Sequence, residues 1–354
     1  MNPQNTATVA QIDDFDEVID VRSPSEYAED HLPGAISAPV LDDTERARIG
    51  TLHKQASAFE ARRAGAALVA INIGRHLQER FADRPKNWRP LIYCWRGGQR
   101  SGSMTEIFAR IGWPVAQLAG GYKAYRRHVI DQLGALPAKL DLRVVCGPTG
   151  SGKSRLLRTL TQCGAQVLDL EQLARHRGSV LGELPGEPQP SQKMFETLIW
   201  QTLRACRADK PVFVEAESKR VGILHVPDSL MERMRVAPCL RVELDTASRV
   251  ALLRQEYAHF LADPAQLNHQ LDRLIELHGR ARVGAWKALS EAGAWDELVT
   301  RLLAEHYDPA YLRGMARNFT KYADAAPVGI HGIDTPAFEE ASRLAMQAVL
   351  TASP

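Results

Sequence analysis

The sequence predicts two α/β domains in tandem, the second carrying a mostly helical insertion. Three observations point there. Short apolar runs alternate with polar helical stretches up to about residue 130, and the alternation starts afresh near residue 140. Each half contains an apolar run, a Gly-rich turn and the opening of a helix, at 91–101 and again at 144–160. Between them Leu133-Gly134-Ala135-Leu136-Pro137-Ala138-Lys139 interrupts helix with Gly and Pro. The boundaries are therefore placed at 1–133 for the first domain, 134–141 for a linker and 142–354 for the second.

Composition narrows the class. A chain of 354 residues suits two domains, and 45% apolar with 24% charged residues is the balance of a globular protein. Lys and Arg number 44 against 42 Asp and Glu, a net charge of +2 that excludes a polybasic tail but leaves room for local basic patches. The longest apolar stretch, 64–73, is about half of the ~20 residues a membrane span needs. The start, Met1-Asn2-Pro3-Gln4-Asn5, is polar with no apolar segment behind it, so a cytoplasmic protein without membrane attachment is expected. Five scattered cysteines (94, 146, 163, 206, 239) without a Cys-x-x-Cys pair favour neither a disulfide framework nor a zinc site. The last four are expected in the core.

In chain order, strands are expected at 17–21, 91–93 and 115–118, then at 142–146, 166–170, 211–214, 239–244 and 327–333. From about 246 to 322 the pattern is helical, with Asp245, Asp263 and Asp308 as N-caps. This stretch is an insertion before the last strand.

The first chemical loop is Cys94-Trp95-Arg96-Gly97-Gly98-Gln99-Arg100-Ser101. A cysteine at a strand-to-helix turn meets converging N–H groups and a helix dipole, and Arg96 and Arg100 add positive charge. Both favour the thiolate that a nucleophilic or chalcogen-carrying cysteine needs. Cys94 and Arg100 are the catalytic candidates here, with Arg96, Gly97 and Gly98 as loop support. For Asp20 and Arg22 local pairing outweighs direct chemistry, and His31 suits a structural role. Asp20-Val21-Arg22-Ser23-Pro24-Ser25-Glu26-Tyr27, His31-Leu32-Pro33-Gly34-Ala35-Ile36 and Leu118-Ala119-Gly120-Gly121-Tyr122 together resemble the signatures of rhodanese-type domains. Single-domain sulfur carriers of that type place Arg five residues after the Cys. Here Arg100 lies six after Cys94, a spacing shared with phosphatases of the same fold, so the loop marks anion binding more strongly than sulfur chemistry.

The second loop, Gly147-Pro148-Thr149-Gly150-Ser151-Gly152-Lys153-Ser154, fits the P-loop pattern G-x-x-x-x-G-K-[ST] at every position and has the strand before and helix after that the motif requires. The second domain is therefore P-loop NTPase-like. Gly147, Gly150, Gly152, Lys153 and Ser154 are the phosphate-binding candidates, and Ser154 can ligate Mg²⁺. A second acidic element should end a neighbouring strand. Glu215, with Glu217 beside it, and Asp169, with Glu171, compete for that role, and Glu215 and Asp169 are carried forward as metal candidates with Ser154. Nucleic-acid candidates come from basic clusters: Lys123, Arg126, Arg127 and His128; Arg175, His176 and Arg177; Lys219 and Arg220. Of these, Arg126, Arg127, Arg175, Arg177, Lys219 and Arg220 are carried forward as nucleic-acid-binding candidates.

The two loops in one chain resemble the bacterial tRNA 2-selenouridine synthase family. The stretches 61–70, 169–179, 190–196 and Val214-Glu215-Ala216-Glu217-Ser218-Lys219-Arg220-Val221-Gly222 extend the resemblance over most of the chain, with 246–322 matching loosely. The resemblance implies an enzyme that replaces sulfur by selenium in wobble-position 2-thiouridine of tRNA. It implies selenophosphate and geranyl diphosphate as substrates, an S-geranyl intermediate, and no tightly bound cofactor. A partner that supplies selenophosphate is also implied. The alternatives are a general sulfurtransferase with an ATP-using P-loop domain and a non-catalytic, nucleotide-gated RNA-binding protein.

Overall fold

The computed structural model describes residues 5–55 and 57–351. They fall into two compact units, 1–132 with 196–198, and 133–195 with 199–354. The first contains β1 (Thr6–Ala7), β2 (Glu17–Asp20), α1 (Pro24–Glu29), β3 (Ile36–Ser37), α2 (Asp43–Gln55), α3 (Ala58–Glu79), β4 (Pro90–Tyr93), α4 (Gln99–Ile111) and β5 (Ala116–Leu118). Helix α5 (Gly121–Ala135) follows. The five strands form a parallel sheet in the order β1-β5-β4-β2-β3, which places β4 at its centre. Parallel strands covered on both faces lose their polar alternation, which is why these segments are short apolar runs. Ile19, Val21, Ile92, Met104 and Phe108 form the core with Phe81 and Trp88. The apolar stretch 64–73 lies within α3, and no helix among the described residues is long and apolar enough to cross a membrane.

The second unit opens with β6 (Asp141–Cys146), α6 (Lys153–Gln162), β7 (Gln166–Leu168), α7 (Leu170–Ala174), α8 (Gln192–Ala205) and β8 (Pro211–Glu215). A small hairpin, β9 (Arg220–Val221) with β10 (Leu224–His225), precedes α9 (Asp228–Val236) and β11 (Cys239–Glu243). Helices α10 (Thr246–Glu256), α11 (Ala258–Ala262), α12 (Pro264–Leu271), α13 (Ile275–His278), α14 (Arg280–Glu291), α15 (Trp295–Leu302) and α16 (Asp308–Asn318) form the insertion. Then come β12 (Ala326–Gly329) and α17 (Thr335–Thr351). This sheet is parallel too, in the order β12-β11-β6-β8-β7, with β6 central. The insertion has its own apolar core, in which Trp286 is fully buried among Leu267, Leu271, Leu298 and Leu302.

Three expectations need correction. Asp245 and Asp263 cap α10 and α12 by accepting from Ser248 N and Gln266 N, but Asp308 caps nothing. The chain enters α16 through a continuous π-turn at Leu303–Tyr307, so no helix start is left to cap, and the Asp308 carboxylate holds Arg249 instead. Cys146 and Cys239 are buried, but Cys163 is exposed at the end of α6 and Cys206 is half-buried. The last strand ends at Gly329, and Ile333 falls beyond it.

Candidate functional site

Both Gly-rich loops follow the central strand of their sheet, where an open parallel sheet leaves a crevice at its carboxyl edge. In the first, Cys94 is buried immediately after β4. Its sulfur accepts from Gly98 N–H (3.3 Å) and from the Ser101 hydroxyl (3.1 Å), the second reaching back from the first turn of α4. Gln117, paired with Ile92 across β5 and β4, donates to Ser101 Oγ (2.6 Å) and to Gly98 O (3.0 Å). Two donors therefore face the sulfur, and a third group orients one of them, the arrangement that steadies negative charge on a nucleophile. The loop closes against Gly121, whose φ is +57°; a Cβ there would lie 2.2 Å from Cys94 O.

Arg100 has a carboxylate partner. It binds the Glu26 carboxylate (2.7 Å), which Arg46 also holds (2.9 Å). Burial alone would raise the Glu26 pKa, but the Arg100 hydrogen bond and charge outweigh it and hold the carboxyl below its ordinary range. Arg96 is exposed, while Gly97 and Gly98 form the turn itself. Asp20 and Arg22 form a buried pair (2.6 Å), with the guanidinium lying over the Tyr122 ring at 4.0 Å. They brace the loop's surroundings without touching Cys94. His31 stacks on Tyr27 at 3.9 Å and serves a local turn.

In the second unit the P-loop lies between β6 and α6. Gly152 has φ +85°, and a Cβ there would meet the Phe338 ring at 2.8 Å. Lys153 Nζ donates to Gly147 O (2.6 Å), folding over the loop that would hold phosphate. Ser154 Oγ donates to Glu171 (2.9 Å), and Glu215 accepts from Glu171 N (2.6 Å). Asp169 accepts from Gln172 N as the N-cap of α7. Of the acidic candidates, Glu171 is thus the one in direct contact with Ser154, while Asp169 and Glu215 stand beside it. Burial, and then repulsion within the group, pushes Glu217 up to about 8 and Glu215 well above the ordinary range. Burial also raises Asp169 and Glu171.

Lys153, Ser154, Asp169, Glu171 and Glu217 line one cleft of about 640 Å³ of mixed character. The phosphate loop and Arg158 contribute to its lining, and so do Leu253, Tyr257, Tyr307, Tyr311 and Phe319, all from the helical insertion. Arg249 ties the loop to the insertion. It donates twice to Thr149 O (3.0 and 2.7 Å) and pairs with Asp308 at 2.6 Å. Neither Arg249 nor the Ser101–Gln117 relay stands out in the sequence. A polar residue inside an apolar run could have marked Gln117, and nothing marks Arg249.

The basic candidates are dispersed. Arg127, Arg175 and Arg220 are exposed. Arg126 is ion-paired with Glu196 and Lys219 with Asp228. Arg177 lines the P-loop cleft, with its guanidinium 4.6 Å from the centre of the Tyr257 ring.

Residues 140–274 match the family model described as the tRNA 2-selenouridine synthase AAA domain, and residues 5–128 match that of the rhodanese-like domain. A tRNA 2-selenouridine synthase of Alcanivorax borkumensis is 34% identical over 326 residues, covering 83% of this chain and 88% of that protein. Its counterpart in Aeromonas salmonicida is 32% identical over 328 residues, covering 83% and 86%. The counterpart in Nitrosomonas europaea is 35% identical over 244 residues, a match spanning 68% of this chain and 63% of that relative.

Proposed function

The chain belongs to the tRNA 2-selenouridine synthase family of enzymes, and on that premise we propose that it exchanges sulfur for selenium in wobble-position 2-thiouridine of tRNA in two steps. In the first, the thiouridine sulfur attacks C1 of geranyl diphosphate. The C–O bond breaks, diphosphate leaves, and the N3 proton of the base is released. In the second, selenium at the selenide level, supplied by selenophosphate, forms the C2–Se bond as geranylthiol departs, and the P–Se bond is hydrolysed to phosphate. The exchange is redox-neutral. Alkylation comes first because it turns a poor leaving sulfur into a thiol that can leave.

The observation that carries the reading is the company the phosphate loop keeps: Lys153 and residues 149–154 line one cleft together with Leu253, Tyr257 and Tyr307. Such a cleft suits a diphosphate with a hydrocarbon body. Lys153 would leave Gly147 O to meet the departing diphosphate, whose developing charge the amides of 149–154 would also receive. The acidic cluster fits a cation in the P-loop manner. Next to Ser154, burial and then repulsion from half-buried Asp169, Glu171 and Glu217 raise the pKa of buried Glu215, and Glu215 Oε2 has no hydrogen-bond partner. Mg²⁺ bound with a diphosphate keeps water and phosphate oxygens among its ligands and takes few from protein. Ser154 and Glu171 would hold it, with Asp169 and Glu215 acting through water, and when bound it supplies positive charge to the diphosphate. Cys94, with Gly98 N–H and Ser101 on its sulfur, would act in the selenium step.

Equilibrium dialysis of the full chain with Mg²⁺ tests the first step. Geranyl diphosphate should bind and be displaced by inorganic diphosphate. Tight ATP binding that geranyl diphosphate cannot displace would instead favour an ATP-using sulfurtransferase. Nucleoside mass spectrometry of tRNA from cells with and without the protein tests the whole reaction, and unchanged 2-selenouridine would overturn it.

A further inference from the structure

Beside the P-loop cleft, the helical insertion encloses a second, apolar slot of about 60 Å³. Thr149, Leu253, Tyr257 and Tyr307 line both spaces, so the slot adjoins the cleft at a residue of the phosphate loop itself. Phe260, Leu267 and Leu298 line the slot alone. Its one charged neighbour, Arg254, is paired with Asp296 at 2.8 Å. Most of the lining is hydrocarbon or aromatic ring, with Leu181, Leu261, Leu302 and Leu303 adding to it, a surface better matched to a hydrocarbon chain than to the polar edges of a nucleobase.

At about 60 Å³ the slot exceeds several-fold the ~10–15 Å³ that one water needs and falls short of the ~150 Å³ of a cavity that holds benzene, so it has room for the branched end of one isoprene unit and for no longer chain. We propose that the slot receives the terminal isoprene unit of a prenyl diphosphate held by the P-loop, and so selects a ten-carbon chain over a five-carbon one. This rests on the prenyl diphosphate reading, and it makes the insertion the part of the fold that measures chain length. The first isoprene unit lies against Leu253, Tyr257 and Tyr307 in the cleft, and the second passes between them into the slot.

Titration calorimetry of the full chain with Mg²⁺ can separate the parts, using inorganic, dimethylallyl, geranyl and farnesyl diphosphate. Burying one further isoprene unit should make geranyl diphosphate bind at least ~10-fold tighter than the dimethylallyl compound. Farnesyl diphosphate should gain nothing more. Val299→Phe on α15 and Leu261→Phe on α11 add bulk at half-buried slot positions on different helices. Both should abolish the geranyl preference while leaving inorganic and dimethylallyl diphosphate binding unchanged. If both variants keep the preference, the chain lies elsewhere and the inference fails while the prenyl reading stands. It also fails if both lose inorganic diphosphate binding, since slot and loop would not be separate subsites, or if affinity climbs equally from ten to fifteen carbons. If the unsubstituted chain binds geranyl diphosphate no better than inorganic diphosphate, the reading beneath it fails as well.

Discussion

Cys94 and Arg249 show how much single side chains contribute here. A hydroxyl lacks the reactivity of the thiol assigned to the selenium step, so Cys94→Ser should abolish 2-selenouridine formation. S-geranylation should persist, because the nucleophile in that step is the thiouridine sulfur. Mass spectrometry of tRNA treated with the variant checks both products, and selenium incorporation at the normal level would remove Cys94 from the mechanism. Arg249 acts on the other loop from 100 residues away in sequence, by two hydrogen bonds to Thr149 O and a pair with Asp308. Arg249→Ala leaves that carbonyl and carboxylate without their charged donor. The variant should lose about 2–3 kcal/mol of stability and bind inorganic diphosphate more weakly, because the loop amides are no longer held in place. A melting curve and a titration measure the two effects. Unaltered diphosphate affinity would show that the loop needs no brace.

Elements explain what the sequence made visible. The strand before Cys94 and the strand before Gly147 are short buried runs next to Gly-rich turns, and such local patterns survive without tertiary information. Asp245 and Asp263 were legible as caps because capping acts across three residues. Asp308 was not, because its partner Arg249 is 59 residues distant and the helix it heads is continuous with the turn before it. Glu171 was weighed only beside Asp169 for the same reason: its contact with Ser154 depends on how β7 and α6 are brought together. The insertion also contains a pH-sensitive contact. His278 on α13 and His306 in the π-turn meet at 2.9 Å, and His278 lies against the edge of Trp286. Burial first, then the neighbouring imidazole for His306 and Arg282 for His278, lowers both pKa values. A histidine with a depressed folded pKa contributes stability that is present above its unfolded value, near 6.5, and lost as pH falls through the folded one. The insertion should therefore loosen on acidification below about 6.5, read by Trp fluorescence during melting. His306→Gln should flatten that dependence, and an identical pH slope in the variant would rule the pair out as its source.

At the scale of the whole molecule, the Cys94 loop and the P-loop belong to two folded units, so each can be disabled by itself to test whether it serves one of the two proposed steps. RNA binding should draw on phosphate contacts from exposed Arg127, Arg175 and Arg220 rather than from Arg126 and Lys219, which already have carboxylate partners. Replacing those three by Ala should weaken tRNA binding and flatten its decline with salt, since fewer counterions are released. Filter binding over a salt series measures this, and an unchanged slope would place the RNA surface elsewhere. The order of the two reactions gives the sharper test. If the P-loop serves alkylation alone, Lys153→Ala should eliminate S-geranylation and therefore also selenation that begins from 2-thiouridine. Given tRNA already carrying S-geranyl-2-thiouridine, together with selenophosphate, the same variant should still make 2-selenouridine, because Cys94 and its donors lie in the other unit and are untouched. Cys94→Ser should fail with either tRNA. Should Lys153→Ala instead fail with the pre-alkylated tRNA while binding it normally, the P-loop would have a part in selenium transfer itself, and the division of labour between the two loops would have to be abandoned.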